Sequence, residues 1–351
     1  MAAFCVSLLC AGLVALVIGL IGGCGGGMGT EGTGSCALGA ITGFGSIIVN
    51  GVHFDDSAAQ LQDDDDKGLA SGSLALGRVV QAAAGPISAA ADGSLRARAS
   101  AVHTDRTLVG PTSVVDVAAG SLRVLGPPVL VSADTVFDAR LVGGLSGVSG
   151  VGGLAPGQLL AVCGFFDSRR AAYAATRIAP AAASAGYRVS GQVASVDARS
   201  QTFALGNQTY SFASLASGSA PAPGAVLRLQ LKSETDASGR WQVSGQRSTD
   251  SAPQDRDGAG LDGRVSARLS AGRFGVDGVT VHASAAQVSG NLKLGAQVTV
   301  RGTMRGTLRA GLLVASLVVV GSDERARSFD LSGNISSVDS SARVLYCAAH
   351  R

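Results

Sequence analysis

The sequence predicts an all-β protein of tandem small antiparallel β-barrels, preceded by an N-terminal signal or anchor helix and a glycine-rich tether. Three observations lead to this prediction. Short runs of Val, Ile and Leu alternate with turn residues, one hairpin pattern recurs, and no long segment beyond the N-terminal run has helical periodicity. Apolar residues make up 46% of the 351 positions, which excludes disorder for most of the chain. Because only the N-terminal run is long and apolar, a polytopic membrane protein is excluded as well.

The N-terminal segment predicts export. Phe4–Ile21 is almost wholly apolar and leads through two glycines to Cys24. An apolar run followed by small residues and a cysteine resembles the lipobox of bacterial lipoproteins. The resemblance implies that residues 1–23 are a signal peptide and that lipid on Cys24 holds the chain at a membrane. Because Gly25 is not Asp, it also implies outer-membrane sorting within the cell envelope, facing the periplasm or the cell surface.

One feature of this segment departs from the lipobox pattern. No Lys or Arg precedes Cys24, whereas the start of a signal peptide is normally positive. The alternative is an uncleaved single anchor helix, since the apolar run is nearly long enough to span a bilayer. Residues 24–38 follow as a predicted flexible tether, because glycine dominates their first half.

The cysteines beyond Cys24 give no metal signature. They are Cys36, Cys163 and Cys347, and no C-x-x-C spacing occurs, which argues against a zinc site. Cys36 and Cys163 are candidates for a disulfide, and buried or unpaired thiols are the alternative.

One β-hairpin pattern recurs along the rest of the chain. Asn50-Gly51 in the first unit and Asp277-Gly278 in the fourth lie between β-rich runs, and these dipeptides favour type I′ turns. The second and third units use Gly126-Pro127 and Gly206-Asn207 at the same place. Each hairpin is followed by a glycine that leads into another apolar strand, at Gly77, Gly157, Gly224 and Gly295.

A second set of glycines marks where each unit starts. They lie at Gly43, Gly110, Gly191, Gly263 and Gly333. Five or six short strands per unit can avoid exposed edges by curling into a small barrel. The predicted barrels are residues 39–106, 107–185, 186–250 and 258–320. Residues 327–351 are predicted as a truncated fifth repeat, whose strand is expected to be swapped or loosely docked.

The segment Ile41–Asp55 resembles the opening of bacterial lipoproteins built from the domain of unknown function 5666. The starts at Ser190–Asp197 and Ser332–Asp339, which share the pattern Ser-Gly-x-Val/Ile-x-Ser-Val-Asp, look like the same family. The resemblance covers nearly everything after the tether. It implies exported, lipid-anchored tandem barrels similar to the OB fold, and it brings no known activity, cofactor or catalytic residue.

The densest charge run is Asp63–Lys67, four aspartates followed by a lysine. Carboxylates in a loop can bind Ca²⁺, but an EF-hand loop needs spaced ligands, a central glycine and a final glutamate, and these are absent. We therefore expect a solvated loop between two strands.

The four histidines, His53, His103, His282 and His350, are scattered. The sequence contains neither a G-x-S-x-G elbow nor an H-E-x-x-H pair, the patterns of serine hydrolases and zinc proteases. His53 and His282 follow the hairpin turn in equivalent strands, which indicates a repeated structural position. We predict no catalytic residue, no cofactor and no metal site.

The fourth unit is basic. Residues 258–320 contain seven basic and two acidic residues, whereas residues 39–106 contain five basic and eight acidic ones. OB-like barrels bind single strands with basic grooves and stacked aromatics, but the unit's one aromatic, Phe274, is expected in the core. A solvated basic face is favoured, and among ligands an anionic lipid or glycan headgroup fits an exported chain better than nucleic acid. The basic residues are Arg264, Arg268, Arg273, Lys293, Arg301, Arg305 and Arg309.

Together these observations predict a lipid-anchored envelope protein that is not an enzyme and whose barrels act as a binding or scaffold module. Its expected partners are the membrane, through Cys24, and an envelope protein or glycan. One alternative is an oligosaccharide or nucleic-acid binder that uses the basic fourth repeat. The other is a hydrolase with a site between domains.

Overall fold

The computed structural model describes residues 34–141, 151–167, 170–215, 220–248, 255–270, 272–276, 279–305, 312–321, 330–331, 334–339 and 344–348. Within these ranges the chain forms 27 β-strands and three one-turn 3-10 helices, so the predicted all-β class is confirmed. The predicted signal or anchor helix and Cys24 lie outside the described residues. No helix in the described ranges is long and apolar enough to cross a membrane.

The first barrel contains β1 (Ser35–Phe44), β2 (Ile47–Val49), β3 (Val52–Asp55), β4 (Gln60–Gln62), β5 (Val79–Ala84), β6 (Ser88–Ala89) and β7 (Leu95–Asp105). Strands β1, β2 and β3 form an antiparallel meander, and β3 runs parallel to β7. Strand β5 then pairs antiparallel with both β7 and β1 and closes the ring. Five strands therefore form a closed barrel of the OB type, to which the short β4 and β6 add at β7.

The other barrels repeat this ring, as their strand pairs show. The second contains β8 (Leu108–Asp116), β9 (Ser121–Val124), β10 (Pro128–Leu130), β11 (Val136–Phe137), β12 (Leu159–Asp167) and β13 (Ala172–Pro180). The third contains β14 (Tyr187–Asp197), β15 (Thr202–Leu205), β16 (Gln208–Ser211), β17 (Val226–Thr235) and β18 (Trp241–Ser248). The fourth contains β19 (Arg256–Ser270), β20 (Arg273–Val276), β21 (Val279–His282), β22 (Gln287–Ser289), β23 (Gln297–Arg305) and β24 (Leu312–Val320).

The glycine that follows each hairpin has the same backbone role in all four barrels. At each one φ is positive, between 74° and 84°, a conformation that glycine adopts without steric cost. The N–H of each donates to a carbonyl of its barrel's first strand, at 2.7 to 2.8 Å. The glycines are Gly77, Gly157, Gly224 and Gly295. The predicted turn at Asn50-Gly51 also has positive φ at both residues, 55° and 71°, as a type I′ turn requires.

The first barrel begins earlier than the sequence predicted. Ser35–Leu38, assigned to the tether, belongs to β1, so the tether prediction was wrong for residues 35–38. These residues pair in parallel with Gly258–Leu261 of the fourth barrel on one side and antiparallel with β5 on the other. Their side chains are buried, because both neighbours cover them. Because glycines dominate the residues just before them, the sequence pattern predicted a flexible tether here and not a strand.

The barrels share apolar cores, and the contact between the first barrel and the fourth is one that the order of the repeats did not predict. Strand β1 joins the first barrel to the fourth, and an antiparallel contact between β8 and β14 joins the second to the third. The core of the fourth barrel also includes Cys36, Leu38 and Val79 of the first barrel and Cys163 and Phe165 of the second. The four barrels therefore pack against one another through shared apolar residues.

Cys36 and Cys163 lie in this shared core as free, buried thiols. The disulfide is therefore not formed, and the alternative of buried thiols is the one observed. Burial raises the pKa of the Cys36 thiol to about 11 and also raises the pKa of Cys163. Both groups thus stay protonated near neutral pH, which makes them poor nucleophiles.

The predicted fifth repeat contributes three strands, β25 (Asp330–Leu331), β26 (Asn334–Asp339) and β27 (Val344–Ala348). Strand β25 pairs in parallel with Gly43 and Phe44 at the end of β1. Strands β26 and β27 form a separate antiparallel pair. The chain after the fourth barrel therefore returns to the first barrel.

Candidate functional site

The aspartate run Asp63–Lys67 forms a loop of the first barrel that packs against the third barrel. The Asp63 carboxylate accepts the backbone N–H groups of Asp65 and Lys67 at 2.9 Å, which fixes a tight turn. This turn directs the next carboxylates against the third barrel, and Asp64 is only 1% exposed. The expectation of a solvated loop was therefore wrong for Asp64 and Asp65, whereas Asp66 is exposed.

Arginines surround the buried part of this loop. Arg106 Nε donates to the Asp64 carboxylate at 2.9 Å, and Arg188 lies 3.2 Å from the same oxygen. Arg188 also donates to Asp65 at 2.6 Å, and Arg228 donates to the Asp64 carbonyl. Since Arg188 and Arg228 belong to the third barrel, these bonds hold the first barrel against it.

The pairing argues against a cation at this loop. Carboxylate oxygens of Asp63, Asp64 and Asp65 lie within 4.8 Å of one another, close enough for one ion. Ca²⁺ needs several oxygen ligands that are free to coordinate it, whereas the carboxylates of Asp64 and Asp65 are already paired with guanidinium groups. The loop is built for ion pairing between barrels.

The described histidines lie at separate places on three strands. His53 Nδ1 is 3.4 Å from Ser46 Oγ, His282 Nε2 is 3.0 Å from Ser284 Oγ, and His103 Nδ1 is 3.8 Å from Asp66. His350 lies outside the described residues. None of these three lines either of the two clefts described below.

Four of the predicted basic residues of the fourth barrel make a hydrogen bond or an ion pair within the chain. Phe274 is buried in the core, as predicted, Arg273 is exposed, and Arg309 lies outside the described residues. Three of its guanidinium groups donate to backbone carbonyls, which fixes their direction, and a fourth pairs with a carboxylate. The pairs are Arg264 to Gly295 at 2.9 Å, Arg268 to Leu292 at 2.6 Å, Arg301 to Asn50 at 2.8 Å and Arg305 to Asp255 at 3.1 Å.

A cleft of about 630 Å³ lies where the first, second and fourth barrels meet, and we call it the junction cleft. Its floor is the outer face of β19, β23 and β24, and its walls include Thr42 and Asn50 from the first barrel and Ser132 and Asp134 from the second. Its volume falls within the range of roughly 300–1,000 Å³ that is typical of small-molecule sites.

Strand register places the polar side chains of the floor in rows. Asp262 lies opposite Thr299, and Arg264 lies opposite Gln297, while Arg301 is one row further along β23. Alternate residues of these strands, such as Leu261 and Val300, are fully buried inside the barrel, so the polar set faces outward into the cleft. Thr299 Oγ1 donates a short hydrogen bond to the Asp262 carboxylate.

The ionisable groups of the junction cleft balance in charge. Two aspartates, Asp134 and Asp262, oppose two arginines, Arg264 and Arg301. The amide of Gln297 and the hydroxyls of neighbouring threonines and a serine add uncharged donors and acceptors, and Leu317 and Val319 add apolar surface. Such a set can hold a neutral molecule that both donates and accepts many hydrogen bonds.

A second cleft of about 420 Å³ lies between the first and fourth barrels, and we call it the apolar cleft. Asn50 and Arg301 line both clefts, and Arg301 Nη2 donates to the Asn50 carbonyl at 2.8 Å where they meet. The Asn50 side chain donates to the Leu38 carbonyl at 3.2 Å. It packs so closely on two glycines that a Cβ at Gly39 would lie 2.2 Å from its Oδ1 and one at Gly260 would lie 3.1 Å from its Nδ2.

Closed five-stranded barrels in tandem, with ligand-sized clefts between them, define a class of OB-like β-barrel repeat proteins. Within that class, residues 112–179 and 262–312 match the model of the domain of unknown function DUF5666. The same family model thus matches the chain twice, which is consistent with the tandem repeats of this domain that the repeated motifs predicted. The two matches fall on the second and fourth barrels. No curated protein matches the chain.

Sequence reasoning found some of the cleft residues and missed others. Arg264 and Arg301 were singled out as part of a basic set, and Asn50 was singled out as a turn residue. Asp262 and Thr299 were missed. The alternation of Asp262 with Arg264, and of Thr299 with Arg301, is a period-two signal for one polar outer face that could have identified them.

Proposed function

We propose that this chain is a non-enzymatic binding module of the bacterial cell envelope, held at the outer membrane by lipid on Cys24. Its ligand is a neutral polyhydroxylated molecule, a saccharide unit of an envelope glycan, bound in the junction cleft. The observation that carries the proposal is the row of outward-facing polar side chains on β19 and β23, in a cleft lined by three barrels.

The chemistry of the floor supports a saccharide. Carboxylate, carboxamide and guanidinium groups are planar and can each contact two neighbouring hydroxyls, and a hydroxyl can donate to one and accept from another. The balanced charge favours a neutral ligand over an anion. Leu317 and Val319 offer apolar surface to the C–H faces of a sugar ring. A cleft of about 630 Å³ suits a short saccharide.

The alternatives have less support. A nucleic-acid binder needs exposed aromatics along a basic groove, and Phe274, the fourth barrel's one aromatic, is buried. A hydrolase of the histidine-dependent kind needs a base at its cleft, and no histidine lines the two described clefts. A passive scaffold gives no specific role to the row of charged and polar side chains in the junction cleft.

Replacing Asp262 by Asn tests the ligand class. The substitution preserves shape and removes the acceptor charge, so we expect saccharide affinity to fall about tenfold, the loss expected when a hydrogen bond to a charged group is weakened. Isothermal titration of the full chain with a panel of short neutral envelope oligosaccharides measures this. Asp255→Asn, an exposed site that pairs with Arg305 outside the cleft, is the matched control.

Three results would count against the saccharide proposal. One is the absence of saturable binding to every neutral saccharide in the panel. Another is equal affinity of the Asp262→Asn and Asp255→Asn chains. Release of shortened sugars during the titration, detected by chromatography, would overturn the non-enzymatic assignment.

Replacing Cys24 by Ser tests the anchor. We expect the wild-type chain to take up radiolabelled fatty acid and to fractionate with outer membranes, whereas the Cys24→Ser chain loses the label. Membrane attachment through lipid depends on burying the methylenes of the acyl chains, so the variant should also be released more readily. If the wild-type chain takes up no lipid label and the Cys24→Ser chain stays in the membrane fraction, the anchor is an uncleaved helix instead.

A further inference from the structure

We infer that the apolar cleft is a second binding site, which takes the hydrocarbon chain of an aliphatic carboxylate with its head group at Arg301. This inference does not depend on the saccharide proposal, because a different cavity carries it, although Asn50 and Arg301 line both clefts. The cleft holds about 420 Å³, within the roughly 300–1,000 Å³ range of small-molecule sites.

The walls of the cleft are apolar on both sides. Four side chains of the first barrel and two residues of β24 in the fourth line it. Ile87 and Leu95 are half-buried and Val314 is 41% exposed, so these three offer apolar surface to a ligand, whereas the other wall residues already lie in the barrel cores. Contact with a hydrocarbon chain would remove such apolar surface from water, which is favourable. The wall residues are Val52, Phe54, Ile87, Leu95, Val314 and Ala315.

Arg301 supplies the polar end of the site. Its guanidinium donates once, to the Asn50 carbonyl, and makes no ion pair among the residues that the structure describes. A guanidinium has five N–H donors and binds carboxylates in a bidentate manner. The half-buried Arg301 therefore retains donors for an anion at the end of the cleft that adjoins the junction cleft.

One carboxylate in the lining has the opposite effect. Asp257 lines the apolar cleft but is exposed, so water and salt screen its charge. Arg301 lies between two barrels, where screening is weaker. Arg301 is the one basic residue among the described residues that line the apolar cleft, so a head group bound there meets a guanidinium, which favours a carboxylate over a cation on the same hydrocarbon chain.

Titration with octanoate tests this site. The full chain is held in nanodiscs, with empty nanodiscs as the blank, so that no detergent competes for the cleft. We expect saturable octanoate binding and at least tenfold weaker binding of octyltrimethylammonium. Arg301→Gln should weaken octanoate binding about tenfold, because a charge-assisted hydrogen bond is lost, whereas Arg268→Gln, on the same barrel outside the cleft, should not change it.

Two further variants keep the test independent of folding. Val314→Asp adds an anion to an exposed wall position and should abolish octanoate binding, while Asp257→Asn should preserve or strengthen it. Equal binding of the anion and the cation, no saturable octanoate binding, or equal affinities of the Arg301→Gln and Arg268→Gln chains would overturn the inference. The Asp262→Asn titration tests the saccharide site separately, so a negative result at one cleft can be told apart from a negative result at the other.

Discussion

Replacing Asp64 by Asn is expected to destabilise the packing of the first barrel on the third by about 3 kcal/mol, the lower end of the cost of breaking a buried ion pair. The substitution leaves Arg106 and Arg188 without their shared counter-charge and turns an N–H₂ donor toward a guanidinium. Asp64 is 1% exposed, so water cannot replace the lost acceptor. Urea unfolding followed by the fluorescence of Trp241 measures the change, because this sole tryptophan lies in the third barrel, edge-to-face with Tyr187.

The same loop contains the matched control. Asp66 pairs with Arg247 at 3.2 Å, and their side chains are 64% and 57% exposed. Exposed pairs contribute between about 0 and 1 kcal/mol, so Asp66→Asn should hardly move the unfolding midpoint. Asn also tolerates the positive φ of 62° at this position. Equal destabilisation by the two substitutions would show that burial of Asp64 does not govern the junction.

Local sequence signals predicted the fold of each barrel. Asn50-Gly51 indicated a particular turn from residue type alone, and the glycine after each hairpin was found from its recurrence along the chain, whereas its positive φ is a finding of the structure. Each such signal spans only a few residues, and steric rules determine the result. The repeats then implied the same closed ring several times.

Contacts between barrels could not be predicted in the same way. Asp65 bonds to Arg188, which is 123 positions away, and Asp66 to Arg247, which is 181 positions away. A run of aspartates has the same composition whether water or another barrel surrounds it. Whether these aspartates are buried depends on arginines that the packing of the barrels brings close to them. The pairing of β1 with β19 is equally remote in sequence, and it creates the apolar cleft.

Equivalent glycines in different barrels distinguish the fold of a single barrel from the contacts between barrels. Gly77, Gly157 and Gly224 occupy the same position in their barrels, with φ of 74°, 83° and 84°. A Cβ at Gly157 or Gly224 would meet nothing within 4 Å. Replacing either by Ala should therefore cost only about 1–2 kcal/mol, the penalty for a left-handed backbone in a residue with a side chain.

Gly77→Ala should cost more, about 3–5 kcal/mol, because overpacking adds to the backbone penalty. A Cβ at Gly77 would lie 2.3 Å from the Thr176 carbonyl oxygen, a backbone atom of the second barrel that cannot turn aside. The two barrels would have to separate, and the bonds from Thr176 Oγ1 to the Gly77 carbonyl at 2.6 Å and from Arg177 to the Leu76 carbonyl at 3.1 Å would weaken. Thermal and urea unfolding of the three alanine variants measure the difference. Equal losses at all three positions would mean that the glycine serves only the turn of its own barrel, whereas a larger loss at Gly77 alone would show that one copy of a repeated residue also joins two barrels.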